Sequence, residues 1–220
     1  MILELTTEQM TYGGAALARH EGRVLFVPYA LPGERVRVRV VEGRKRRTQV
    51  ELIELIEPSP DRVTPRCAHF GAQGCGGCQW QHADYGAQLR YKTEIVREQL
   101  QRLGAVEGPP VRPCLGVAEP WHYRNHVQLH ATAVGPGFHR ADGKGIEPLR
   151  ECHVMNGAIM PLFEALRGQP LPGVKRAILR GSERTGERLL ALDDEGAALP
   201  SALAPLAAER RPALVELVGG

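Results

Sequence analysis

The sequence predicts an α+β protein, a small antiparallel β-barrel followed by a mixed α/β domain, and three observations carry this. Residues 1 to 57 hold four short strand signals punctuated by glycines at 13, 14, 33 and 43. The run Arg35, Val36, Arg37, Val38, Arg39, Val40 alternates strictly, the pattern of a strand with one buried face. Beyond residue 83, helical and strand periodicities follow one another.

The barrel strands are expected at Met1 to Leu5, Gly22 to Pro28, Glu34 to Val41 and Thr48 to Glu57, spaced as in a small closed barrel. Pro58, Pro60 and Pro65 then break regular structure and mark a linker. Asp84 is placed to cap a helix whose apolar positions Tyr85, Leu89, Val96, Leu100 and Leu103 recur at helical spacing, with Gly104 as its stop. After Pro109 and Pro110 the run His126 to Val134 reads as a strand, and Gly135 to Gly137 turns it toward a second around Phe138 to Arg140. Asn156 to Leu166 reads as a helix. Val174 to Arg180 and Arg188 to Leu192 read as a hairpin, and an alanine-rich helix is expected from about Ser201 to Arg210.

Composition narrows the class. With 220 residues, 43% hydrophobic and 24% charged, the chain can bury a sizeable core. Glu4 and Glu8 stand where a secretion signal needs basic residues, and no apolar run approaches the roughly 18 residues of a membrane span. A soluble, cytoplasmic protein without membrane contact is expected, and a monomer is its expected state. The net charge is only +3, so partners must be sought in local charge. From Leu31 to Val50 there are seven basic residues, Arg35, Arg37, Arg39, Arg44, Lys45, Arg46 and Arg47, against Glu34 and Glu42. Such density suits RNA phosphates; a solvated strand face is the alternative.

Five cysteines outside a secretory context point to metal or redox chemistry. Cys67, Cys75 and Cys78 form C-x7-C-x2-C, and the loop Cys75-Gly76-Gly77-Cys78 lets backbone wrap closely round a metal centre. A fourth ligand must come from afar: Cys114, Cys152, or one of His69, His82 and His153. Zinc and a [4Fe-4S] cluster both remain open on spacing.

The residues also resemble a known family. Gly13 to Arg19, Gly22 to Pro28 and Leu31-Pro32-Gly33-Glu34 look like a TRAM domain, and Pro58 to Val63, the Cys75 to Gln79 loop, Tyr123-Arg124-Asn125 and Glu151-Cys152 continue in family order. The chain resembles the SAM-dependent RNA (uracil-5-)-methyltransferases of the RumA/TrmA type. The resemblance implies an OB-like TRAM barrel at 1–57, a linker and iron-sulfur loop at 58–82, and a central α/β domain at 83–220 that supplies the fourth cluster ligand. It implies a [4Fe-4S] cluster on Cys67, Cys75, Cys78 and Cys152, leaving Cys114 spare, with zinc as the alternative metal. Arg124 joins the seven basic residues as a candidate RNA contact, with Asn125 and His126 beside it. Phe138 and His139 are placed to stack on a base, though core packing is the plainer role for Phe138.

In the family reaction a thiolate adds to uracil C6, C5 takes the methyl group from SAM, and a base removes the C5 proton. The resemblance implies that the nucleophile, the base and the SAM loop belong to a domain beyond Gly220. No catalytic or SAM-binding residue is therefore expected here, and the chain alone is expected to be an inactive, truncated portion. The competing expectations are a stand-alone RNA-binding metalloprotein and, third, a redox-sensing iron-sulfur protein. Whether the RNA is ribosomal or transfer is not encoded in these residues.

Overall fold

The structure is a computed structural model and describes residues 1–41, 49–194 and 213–219. Two compact units emerge, each built from two stretches: residues 1–65 with 78–117, and residues 66–77 with 118–220. These units cut across the expected divisions, because the helix expected to open the central domain groups with the barrel.

The first unit is a closed barrel of β1 (Ile2–Met10), β2 (Ala16–His20), β3 (Arg23–Val27), β4 (Arg35–Val41) and β5 (Gln49–Glu57), in the order β1-β2-β3-β5-β4. The expected antiparallel pairing holds except at closure, where β3 meets β5 in parallel through Phe26 and Gln49. Alternation on β4 works as physics requires: Val36 and Val38 are fully buried and the three arginines face out.

Helix α1 (Tyr85–Arg102) starts where expected, the Asp84 carboxylate accepting from the Ala87 amide at 3.2 Å. Its buried face differs from the expected stripe. Ala87 and Tyr91 enter the barrel core with Ile95 alongside, a spacing of four, while Val96, Leu100 and Leu103 remain exposed. Tyr91 donates its hydroxyl proton to Asp61 at 2.7 Å and Arg90 donates to the other Asp61 oxygen at 2.6 Å, so the helix is stitched to the proline-rich segment. The Arg90 hydrogen bond, followed by that from Tyr91, holds Asp61 below the usual carboxylate range. The expected linker is thus locked to the barrel unit. Glu34, with no exposed surface, accepts from the amides of Leu31 at 2.8 Å and Ser59 at 3.2 Å, and from the Arg62 guanidinium at 2.7 Å.

His82 lies in the same unit and is only 1% exposed. Burial, helped by the charge of Arg62, pushes its pKa from 6.5 down to about 4. The folded state therefore holds the neutral ring, and the stability this gives is complete above pH 6.5 and drains away as pH falls toward 4. Denaturant melts should show a loss on the order of 3 kcal/mol over that window that His82→Gln abolishes. Equal pH slopes for the two proteins would refute it.

The second unit is a six-stranded sheet in the order β11-β10-β9-β6-β7-β8, made from β6 (His126–His130), β7 (Gly137–His139), β8 (Ile146–Pro148), β9 (Val174–Gly181), β10 (Arg188–Asp194) and β11 (Ala213–Gly219). All pairs are antiparallel except β10 with β11. One sheet face packs on α2 (Met160–Leu166), where Leu162, Phe163 and Leu166 meet Val127, Leu129, Leu179, Leu190 and Leu192. That helix is shorter than expected because the Asn156 side chain accepts from the Ile159 amide, holding a turn before it. β6 stops at His130, since the Thr132 hydroxyl donates to the Gly135 carbonyl and closes a turn. The expected hairpin at 174–192 is present, and the expected helix at 201–210 lies outside the described residues. No helix among the described residues is long and apolar enough to cross a membrane.

Candidate RNA-facing surface and cysteine loop

Strand register decides what surrounds the outward arginines of β4. Glu57, Glu54 and Glu51 of β5 stand opposite Arg35, Arg37 and Arg39, and Glu4 of β1 stands opposite Arg37 from the other side. Arg35 donates to Glu57 at 2.6 Å, Arg37 to Glu4 at 2.6 Å and to Glu54, and Arg39 to Glu51 at 3.4 Å. The hydrogen bond from Arg37 holds Glu4 below the usual carboxylate range and raises Arg37 in turn. This part of the expected basic face is a ladder of cross-strand ion pairs. Every pair is exposed to solvent, so each is weak and a phosphate can exchange for a carboxylate. Arg44, Lys45, Arg46 and Arg47 lie outside the described residues.

Cys67, Cys75 and Cys152 fall in the sheet unit, and Cys78 opens the 78–117 stretch of the barrel unit. None of the five cysteines is in a disulfide. Cys75 and Cys152 pack against the same hydrophobic core. The loop carrying Cys75 is fixed on both sides: its amide donates to the His69 carbonyl at 2.8 Å, and the Gly76 amide donates to the His139 carbonyl at 2.9 Å. A side chain at position 76 would place its Cβ 2.9 Å from that same His139 oxygen, so only glycine allows this approach. The Gly77 amide donates to the Cys75 sulfur at 3.3 Å, the kind of bond that stabilises a ligating thiolate.

The 66–77 stretch is joined to the segment before Cys152 by three hydrogen bonds. The Ala68 amide donates to Glu151 at 2.7 Å, which holds that carboxylate below its usual range. His69 uses both ring nitrogens, its Nε2 accepting from the Arg150 amide at 2.9 Å and its Nδ1 donating to Glu147 at 3.0 Å. A ring so engaged has no nitrogen left for a metal, which removes His69 from the candidate fourth ligands. His82 is buried in the barrel unit, and Cys114 lies there beside α1, its amide donating to the Thr93 hydroxyl. Among the described residues no three Cys, His, Asp or Glu side chains are gathered as a metal site. What the described residues supply is cysteine sulfur on a tightly wound glycine loop, with the Gly77 amide aimed at the Cys75 sulfur.

The Arg124 amide donates to the Val154 carbonyl, and its guanidinium sits 5.9 Å from the centre of the Phe138 ring. Phe138 packs on the core, and the His139 ring lies 4.2 Å from that of His130. Asn125 and His126 instead line an open cleft of about 730 Å³ with Arg180, Ser182 and Arg188. The two arginines were not singled out from sequence, because the hairpin pattern that placed them says nothing of what stands across the ladder.

A closed five-stranded barrel followed by a cysteine loop and a mixed sheet defines the class, and the family described as TRAM domain matches residues 2–47. The barrel unit carries a TRAM domain. A Halalkalibacterium halodurans protein named an uncharacterized RNA methyltransferase is 35% identical over 216 residues, covering 90% of this chain and 47% of that protein. The 23S rRNA (uracil(1939)-C(5))-methyltransferase of Shewanella denitrificans is 34% identical, over 70% of this chain and 34% of its own length. In fold, the chain is similar to the Pyrococcus abyssi tRNA (uracil-54, C5)-methyltransferase, solved with S-adenosyl-L-homocysteine, at TM-score 0.59 and 23% identity over 90% of this chain and 48% of that one. The chain thus carries a TRAM domain and is related over most of its own length to proteins named RNA methyltransferases. It spans about half the length or less of the curated relatives it matches.

Proposed function

We propose that these 220 residues are the RNA-recognition and iron-sulfur portion of a SAM-dependent RNA (uracil-5-)-methyltransferase acting on ribosomal or transfer RNA in the cytoplasm. The observation that carries this reading is the TRAM match on the barrel within a chain related along most of its length to RNA methyltransferases, one of them named for uracil C5 of 23S rRNA. The part played by this portion is to hold RNA for chemistry that SAM and a nucleophile supply in the whole enzyme. Arg35, Arg37 and Arg39 take up phosphates by trading their glutamate partners, with Arg44 to Arg47 adding charge in the same β4–β5 connection.

Cys67, Cys75, Cys78 and Cys152 are the proposed cluster ligands. When bound, the [4Fe-4S] group supplies a structural cross-link, closing the long chain loop between the 67–78 segment and residue 152. This chain's own residues prepare the tie, the Glu151–Ala68 and His69–Arg150 bonds holding two of the ligand-bearing segments in place.

Protein purified without oxygen should carry about four irons per chain and a brown chromophore, and Cys152→Ser should lose both. The wild-type chain should bind a labelled rRNA or tRNA hairpin with an affinity that falls steeply with salt. A colourless protein with one zinc would replace the cluster assignment, and a chain that binds neither RNA at low salt would overturn the recognition role.

A further inference from the structure

The barrel unit keeps two aromatic side chains outside. Tyr29, Trp80 and Tyr85 are half-buried and Tyr91 is buried, whereas Phe26 is 44% exposed and Tyr12 is 83% exposed. Alternation on β3 puts Phe26 out: Leu25 and Val27 point into the core, so Val24 and Phe26 lie on the outer face. Register then gives Phe26 its neighbours. Leu17 of β2 stands opposite it on one side and Gln49 of β5 on the other. Arg19, opposite Val24, is the diagonal neighbour, about 7–8 Å away in such a ladder.

Tyr12 stands at the same end of β3 on a short turn. That turn joins Met10 to Ala16, and Ala16 lies opposite Val27, the residue after Phe26. The turn is held on both sides: the Thr11 hydroxyl donates to the Ala15 carbonyl at 2.7 Å, and the Trp80 indole donates to the Gly14 carbonyl at 3.0 Å. Gly14 sits at φ +90°, and a Cβ there would come within 3.2 Å of both Gln79 and Trp80, so this anchor depends on glycine. The backbone is fixed while the tyrosine ring stands in water, open to a flat partner.

We infer that Tyr12 and Phe26 form a stacking platform for unpaired RNA bases, with Arg19 beside them for the adjoining phosphate. Five-stranded OB-type barrels take oligonucleotides on the face of strands 2 and 3 and on the loop between strands 1 and 2, which is where these side chains stand. Stacking on aromatic rings selects a single strand, because the bases of a duplex are already stacked on one another. Arg19 is paired with Glu8 at 3.2 Å in solvent, a contact weak enough for a phosphate to replace. The inference rests on the RNA-recognition reading and adds to it what the barrel reads: the bases of a single strand, beside the phosphate contacts of β4.

The test is fluorescence anisotropy of the 220-residue chain with a fluorescein-labelled RNA strand of about 10 nucleotides, alone and annealed to its complement. The single strand should bind more tightly than the duplex. Phe26→Leu and Tyr12→Leu keep apolar bulk but lose the ring, and each should weaken binding about five-fold or more at an unchanged log–log salt slope. Phe26→Trp should bind at least as well as wild type. Arg19→Gln should instead lower the slope by about 0.7, the share of one phosphate on a single strand. Both rings are exposed, so thermal melts of the leucine variants should match wild type. A wild type that prefers the duplex, or that binds no better than the variant carrying both leucines, overturns the platform and spares the recognition reading. A wild type that binds no RNA overturns both.

Discussion

Glutamine at position 34 should cost the protein about 3–5 kcal/mol, the usual penalty for breaking a buried ion pair from one side. Glu34 is fully buried, and both of its oxygens are used by donors: two backbone amides and two nitrogens of Arg62. Glutamine keeps the shape but turns one acceptor into a donor facing donors, and it leaves the mostly buried Arg62 charge without its partner. Urea melts of Glu34→Gln, Arg62→Gln and the double variant should give strongly non-additive losses. A single Glu34→Gln variant within about 1 kcal/mol of wild type would show that water reaches the pair and screens it.

Alanine at Phe163 should remove a similar amount, about 3–5 kcal/mol, from the sheet unit. Phe163 has no exposed surface and sits among leucines from α2, β6, β9 and β10, so truncation leaves a cavity bordered by fixed strands. Cys75 and Cys152 lean on the same core, so the loss should reach the segments that carry them. Phe163→Leu should recover most of the loss, because it refills much of the volume. Equal stability for the alanine and leucine variants would mean that the core collapses around the gap.

Several elements were legible because a local rule fixed them. Alternation placed β4 and its buried valines, and a capping aspartate placed the start of α1. β2 was missed because Ala16, Leu17 and Ala18 are all buried and show no alternation, while alanine has little strand preference. The buried face of α1 was misread for a related reason: Ala87 and Tyr91 are less apolar than the leucines and valines that stayed outside. At the candidate site, the outward arginines were visible but their glutamate partners were not, since pairing across strands depends on register that no single segment contains. The same holds for the Leu31 to Glu34 and Pro58 to Val63 motifs. Each was noticed separately, and only the fold shows that Glu34 and Arg62 make them one lock.

The chain path through the two units has a consequence for how the protein is made. The strands of the barrel are complete at Glu57, yet Ala87 and Tyr91, which finish its core, follow only after residues 66–77 have gone to the other unit. On the ribosome, at about 5–20 residues per second, the nascent barrel waits seconds with its apolar interior unsealed. For the same reason no single cut in the backbone yields two whole units: a break after Pro65 separates the barrel strands from their helix, and one after Val117 leaves the cysteine loop behind with the wrong half.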